Sequence, residues 1–282
     1  MESTTKKVVS LQKYCPMLRD APVVTSINFI NEFGMREYRS LPWIDKFELK
    51  NAKDPDKIRQ SDMESILQGW GQSLEADFLY ATKDNERDDW EEVNGINYYC
   101  SALDGNRVID GGASTVSGKK VMSIYLVAWD VEMGAFVFVP SGNSVDVKYN
   151  ILGDAVISDP NDATKHLFVE QYELAVSVGF GVKDKHAIAR IANIDVTNVS
   201  GITFNPELLI KAIDQFPTEL RSKVVIYVPH EIELAIQMAA KSNSNSLFVY
   251  GQKELHGETL ATFNGIPMRV TEAIVPQTAI VV

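Results

Sequence analysis

Cysteine and histidine are scarce in this chain, with two and four among 282 residues. Cys15 and Cys100 cannot build a disulfide framework, and with no second pair or clustered histidines they do not mark a zinc site, so both read as reduced thiols. No run approaches the roughly 18 uninterrupted apolar residues of a membrane span. The opening MESTTKKVVS lacks the apolar core of a secretory signal, which makes cytosolic synthesis and residence the expectation. Reaction motifs are missing as well. No phosphate loop ends in Gly-Lys-Ser/Thr, and no Gly-x-Ser-x-Gly elbow occurs. Gly179-Phe180-Gly181 has no third glycine and runs into KDKH, so it reads as a strand whose small residues let another backbone pass close. His230-Glu231 fails as a zinc motif because Leu234 and Ala235 stand where the second histidine belongs, leaving His230 as a first-turn polar residue. The acidic run Asp84 to Glu92 lacks the glycine and alternating spacing of a calcium loop and reads as solvated. These absences leave no expected metal, cofactor or catalytic residue, although paired carboxylates assembled from distant positions would leave no sequence mark.

What the chain has is apolar content, 45%, enough for a substantial core, and a net charge of −11 that is unevenly spread. Residues 1–60 hold 11 Lys plus Arg against 8 Asp plus Glu, net +3; the remainder holds 16 against 30, net −14. A mildly basic arm thus precedes an acidic body. Such a body opposes tight wrapping of nucleic acid, and a basic arm is attracted to the acidic body of a neighbouring copy.

Pro16, Pro22, Pro42 and Pro55 interrupt the first 60 residues, which read as an extended arm followed by a loop or hairpin. Within it REYRSLPWIDKFELK sets Trp43 and Phe47 among alternating charges, as in a two-stranded projection whose apolar residues need a partner. Ser61 and Glu64 form a capping box, and Met63, Ile66, Leu67, Trp70, Leu74 and Phe78 recur at helical spacing. Gly69 and Gly71 within this helix imply close packing against a neighbouring element, or a bend. From Gly95 to Val196 the chain reads mainly as strands, with Trp129 and Phe136 expected in the core rather than as a stacking platform. Asn205 caps a helix lined by Leu208, Leu209, Ala212, Ile213 and Phe216. A second helix carries Ile232, Ala235, Ile236 and Ala239, and short strands follow from Leu247 to Val282. The fold class is α+β.

In YELAVSVGFGVKDKHAIARIANIDV, Tyr172, Leu174, Val176 and Val178 alternate with Glu173, Ala175, Ser177 and Gly179 as in a half-buried strand, with no chemistry placed on either face. With SIYLVAWDVEMGAFVFVP (Ser123 to Pro140), FNGIPMRVTEAI (Phe263 to Ile274) and FNPELLIKAIDQFP (Phe204 to Pro217), this segment resembles the major capsid proteins of tailed double-stranded DNA phages. The resemblance runs from about Val23 to the C-terminus. His186-Ala187 departs from it, standing where relatives tend to carry aromatic residues.

The resemblance implies the Hong Kong 97-like capsid fold. Residues 1–31 would be an N-terminal arm and 32–60 an extended loop lapping onto a neighbouring copy. Residues 61–140 would be a peripheral domain with Ser61 to Thr82 as its spine helix, completed by about 247–282. Residues 141–246 would be mainly an axial domain. The peripheral sheet would draw on Asn97 to Ile109, Ser123 to Val139 and Phe263 to Ile274. It also implies self-assembly into pentamers and hexamers, a scaffolding and a portal protein as partners, a possible decoration protein, and enclosed double-stranded DNA bound without sequence readout. The location would be the virion, after synthesis in the host cytoplasm. Trp43, Phe47, Arg36, Arg39 and Lys46 are the candidate inter-subunit contacts. Some relatives link a lysine to an asparagine of the next copy. Lys46, Lys50, Lys53 and Lys57 are placed for that, but no activating carboxylate is marked and no link is expected. The competing readings are a soluble α+β hydrolase using scattered carboxylates, and a minor head or decoration protein.

Overall fold

The structure, a computed structural model, describes residues 2–7, 27–33, 35–81, 94–104, 107–113, 119–139, 147–159, 162–197, 202, 204–205, 207–242, 250–255, 258–278 and 281. Cys15, the acidic run and most of the KSNSNS loop lie outside them.

Strands β1 (Glu2–Lys7) and β2 (Ile27–Glu32) pair antiparallel as a two-stranded sheet of their own. The chain continues through β3 (Met35–Ser40) and β4 (Trp43–Asp45) into a short helix, α1 (Lys46–Asn51), and then the long helix α2 (Pro55–Tyr80). α2 starts earlier than the Ser61 capping box implies. Asp54 accepts the Lys57 amide at 3.3 Å, and Pro55 takes the first helical position, where its fixed φ suits the turn and its missing N–H is not needed. Pro55 therefore begins the helix instead of interrupting one. Ser61 and Glu64 lie inside it, and the end falls at Tyr80. Nothing stands within 4 Å of where a Cβ on Gly69 or Gly71 would sit, so neither glycine serves a close contact within the chain.

After α3 (Ile96–Tyr99), a single turn in a region read as strands, come β5 (Val108–Asp110), β6 (Val121–Ala128), β7 (Ala135–Phe138), β8 (Lys148–Asp159) and β9 (Asp162–Val182). The long β9 is the centre of a five-stranded sheet. β3 and β4 lie end to end along one edge, and β7 and β8 along the other: Ala175 pairs with both Arg39 and Lys148, and Gly179 with both Met35 and Phe138. β3 and β4 are thus sheet edges instead of a hairpin that projects alone. The alternation read in β9 holds only in part: Tyr172, Leu174 and Val176 are buried, but so are Ala175 and Gly179 on the opposite face, and Val178 is half-buried. Tyr172 and Leu174 join Ile44 and Leu49 against Ile58, Met63, Ile66 and Trp70, so α2 lies along this face. At Gly179 and Gly181 it is aromatic rings, not a second backbone, that come close. An added Cβ would stand 2.2 Å from Phe138 and 2.5 Å from Phe33.

The remaining elements are β10 (Ile188–Asp195), α4 (Glu207–Asp214), β11 (Val224–Val228), α5 (His230–Ser242), β12 (Tyr250–Leu255), β13 (Glu258–Phe263) and β14 (Ile266–Val270). They complete a seven-stranded mixed sheet in the order β12-β13-β14-β11-β6-β10-β5. Asn264 and Gly265, both at positive φ, make the tight turn between β13 and β14. Helices α4 and α5 cover one face through Leu209, Ala212, Ile232, Ala235 and Ile236. Leu79, Ile96 and Cys100 cover the other, with Phe180 and Val182 from the end of β9. Covered on both sides, β6 is buried along its whole length, which is why it reads as a continuous apolar run. Ser123 to Val139 and Phe263 to Ile274 contribute β6, β13 and β14 to the α4–α5 sheet, and only β7 joins the sheet beneath α2; Asn97 to Ile109 supplies a helical turn and the edge strand β5.

Candidate assembly surfaces

α1 is a platform for one side chain. Asp45 caps it by accepting the Phe47 amide at 2.8 Å, and Leu49 anchors its inner side in the cluster beneath α2. This orientation turns Phe47 outward, and it is 74% exposed, the highest among the large apolar residues described. Trp43 and Leu41 beside it are also exposed. The three candidate cations are held within the chain. Arg36 pairs with Asp77 at 2.8 Å and lies 5.8 Å from the Tyr38 ring centre; Arg39 pairs with Glu173 at 3.1 Å; Lys46 donates to Asp154. Arg36, Arg39 and Lys46 are thus paired within the chain while remaining 45, 58 and 40% exposed, and Phe47 and Trp43 are exposed as well.

A second surface lies on the β8–β9 hairpin. Arg59 on α2 grips Glu170 through two bonds, at 2.7 and 2.9 Å, and holds the carboxyl below its usual range. Tyr172 donates to Asp62 one turn further on; burial and that carboxylate raise its phenol above the usual value. Beyond this polar band the hairpin runs on without α2. There Val156 and Phe168 form an exposed cross-strand pair, Phe168 at 65%, and Ile151 and the bulged Leu152 stand exposed along β8. Sequence reasoning missed this patch, because its signal is only two apolar stretches, around Ile151 to Ile157 and Leu167 to Val169, that read like core strands. A third surface is the outer side of α5, where Leu234 and Met238, four residues apart, are exposed.

Between α2 and the two sheets is a cavity of about 240 Å³ with an almost wholly apolar lining, including Leu74, Phe78, Trp129, Val137, Val178 and Phe180. Trp129 stacks on Phe78, ring centres 5.4 Å apart, and donates to the Tyr227 hydroxyl at 3.1 Å. At the rim Asp77 accepts the Tyr38 hydroxyl at 2.6 Å; burial, with this bond second, raises that phenol. Phe136 is buried and Trp129 packs against the core, as expected. His230 is exposed in the first turn of α5, 3.8 Å from Glu233. The Cys100 thiol, buried against the Ile96 carbonyl at 3.1 Å, is pushed up to about 12 by desolvation. Among the described residues no group of three His, Cys, Asp or Glu could hold a metal ion, and no helix is long and apolar enough to cross a membrane.

A long helix braced on one sheet, a helix-covered second sheet and several uncovered apolar faces describe a subunit built to be covered by neighbours. The family described as Major capsid protein GP7 matches residues 25–282. This chain belongs to that family. Among solved structures, the capsid protein is similar to a chain of bacteriophage Epsilon15, with a TM-score of 0.61 at 20% identity, covering 99% of this chain and 84% of that one. It is similar at lower score to the capsid of a native GTA particle (TM-score 0.39, 10% identity, 68% and 84% covered). The SrpI encapsulin of Synechococcus elongatus is a further match (TM-score 0.42, 9% identity, 70% and 83% covered). No curated protein sequence matches it. The capsid protein has the Hong Kong 97-like fold that its sequence resemblance implied, and it is a shell-forming subunit; the family match favours this over the hydrolase reading.

Proposed function

We propose that this capsid protein assembles into pentamers and hexamers that close an icosahedral shell around a double-stranded DNA genome. In this reading α2 with the five-stranded sheet is the peripheral body, and the seven-stranded sheet with α4 and α5 is the axial body, a division that departs from the one read along the sequence, 61–140 completed by about 247–282 against 141–246. A scaffolding protein and a portal are the partners the reading calls for, a decoration protein an optional one, with synthesis in the host cytoplasm.

The observation that carries it is the separation of the exposed apolar groups: Phe47 on α1, Val156 and Phe168 on the hairpin, Leu234 and Met238 on α5. A single two-fold contact covers one self-complementary patch. Three patches on different elements call for several neighbours at once, which a closed shell supplies. The net charge of −11 agrees with enclosing DNA without gripping it. Phe47, Trp43, Arg36, Arg39 and Lys46 remain the contact candidates of this reading. The test uses Phe168→Asp and Met238→Asp. As surface changes each is expected to alter the stability of the unassembled subunit by about 0.5 kcal/mol or less while preventing particle formation seen by electron microscopy. Particles formed at the unsubstituted yield by both variants would contradict the proposal.

A further inference from the structure

The cavity beneath α2 and the projecting Phe47 are complementary, and we infer that Phe47 of one copy inserts into the α2 cavity of the next. This rests on the shell reading above and names the contact that joins two of its subunits. Size agrees first: an apolar cavity of about 150 Å³ lined by aliphatic and aromatic side chains accepts benzene, and this one encloses about 240 Å³. Shape agrees next. Phe47 projects between Lys46 and Glu48 at the start of a short helix, further exposed than Trp43 and Leu41 beside it, a knob suited to a hole. Phe168, the next most exposed ring among candidates, lies on a strand beside Val156 and makes a flat face, suited to a flat partner.

Charge agrees as well. Lys50 lies one turn after Phe47 and thus on the same side of α1. The cavity rim carries Glu75 and Asp77; Asp77 is already engaged by Arg36 and Tyr38, whereas Glu75 makes no ion pair among the described residues. An inserted Phe47 would bring Lys50 against Glu75. The insertion is between copies because α1 packs at the other end of α2. Ile58, in the cluster that holds Leu49, and Leu74, at the cavity, are separated by roughly 24 Å of helix at about 1.5 Å per residue.

The test places a photoreactive side chain at this position, Phe47→p-benzoylphenylalanine, in particles assembled from mixed light and heavy isotope-labelled copies. The expected result is a cross-link between copies, carrying both labels, to the peptides holding Leu74, Val137 or Val178. Particles whose position 47 links elsewhere, or only within its own copy, overturn the inference and leave the shell reading intact; absence of particles under all conditions removes both. Val178→Trp, which fills the cavity, is expected to lower particle yield by about tenfold while leaving a folded subunit by circular dichroism. Glu75→Lys should lower yield, and Lys50→Glu in the same chain should restore it. An unchanged yield in Val178→Trp with cross-links away from the cavity would sink the proposal.

Discussion

Arg190 is a guanidinium set inside the protein, 2% exposed, and among the described residues none of its partners is a carboxylate. It donates to the Ser123 hydroxyl at 2.9 and 3.1 Å, to the Asn97 side chain and to the Cys100 carbonyl at 3.1 Å, and it lies 5.3 Å from the Tyr125 ring centre. One residue of β10 thereby fixes α3 to β6. Arg190→Met leaves the buried Ser123 hydroxyl and Cys100 carbonyl without this donor, at about 1–3 kcal/mol for each unsatisfied group, while the half-buried Asn97 keeps the Tyr125 hydroxyl. A loss of at least about 2 kcal/mol in urea unfolding is expected, and Arg190→Lys, lacking the planar fork, should not restore it. A second residue-scale expectation concerns acid. Lys119 and the Thr197 amide hold the Asp195 carboxyl down to about 2, and Lys223 and Arg59 lower Asp130 and Glu170 in the same way. Folded values below the unfolded ones mean stability that is present above about pH 4 and lost as pH falls; for Asp195 the loss runs down to about pH 2. Melting temperature should stay level from neutral pH to about 5 and drop below 4. Asp195→Asn should melt lower at neutral pH and lose part of that acid drop.

At the scale of elements, α2 invites a substitution that separates the subunit from the assembly. With nothing near a Cβ at Gly69, Gly69→Ala should stabilise the isolated subunit, by up to about 1 kcal/mol through helix propensity. Thermal melts of the unassembled protein check this. The body of α2 was legible because Met63, Ile66 and Trp70 repeat at helical spacing and do face the sheet. Its start was not, because a proline reads as a helix breaker unless the capping aspartate before it, here Asp54, is read with it. α4 was legible in the same local way, through Asn205, which accepts the Glu207 amide at 3.0 Å. β9 was legible as a strand, but not its partners: Met35 to Ser40 pairs with it across more than a hundred residues, and alternation does not say which edge finds which. Of the candidate surfaces, Phe47 and Trp43 could be read because apolar residues among charges stand out. The hairpin patch could not, since Val156 and Phe168 look like core residues until the end of α2's cover is known.

At the scale of the molecule, the described residues form a two-stranded, a five-stranded and a seven-stranded sheet, with one helix, α2, that touches the larger two, and exposed apolar groups on α1, on the β8–β9 hairpin and on α5. Such surfaces are worth little to one copy and become stabilising only when copies meet, so the subunit should be stable enough to fold alone and disposed to associate as concentration rises. The same logic separates a shell subunit from a decoration protein: the former makes closed particles of itself, the latter binds particles already made. The most direct test is to express the chain alone and with candidate scaffolding proteins and examine the products by cryo-electron microscopy and sedimentation. Closed shells with five-fold and six-fold capsomers, α2 of one copy lying against α1 of the next, are the expected result. A stable monomer under every condition, or binding only to preformed shells, would contradict it.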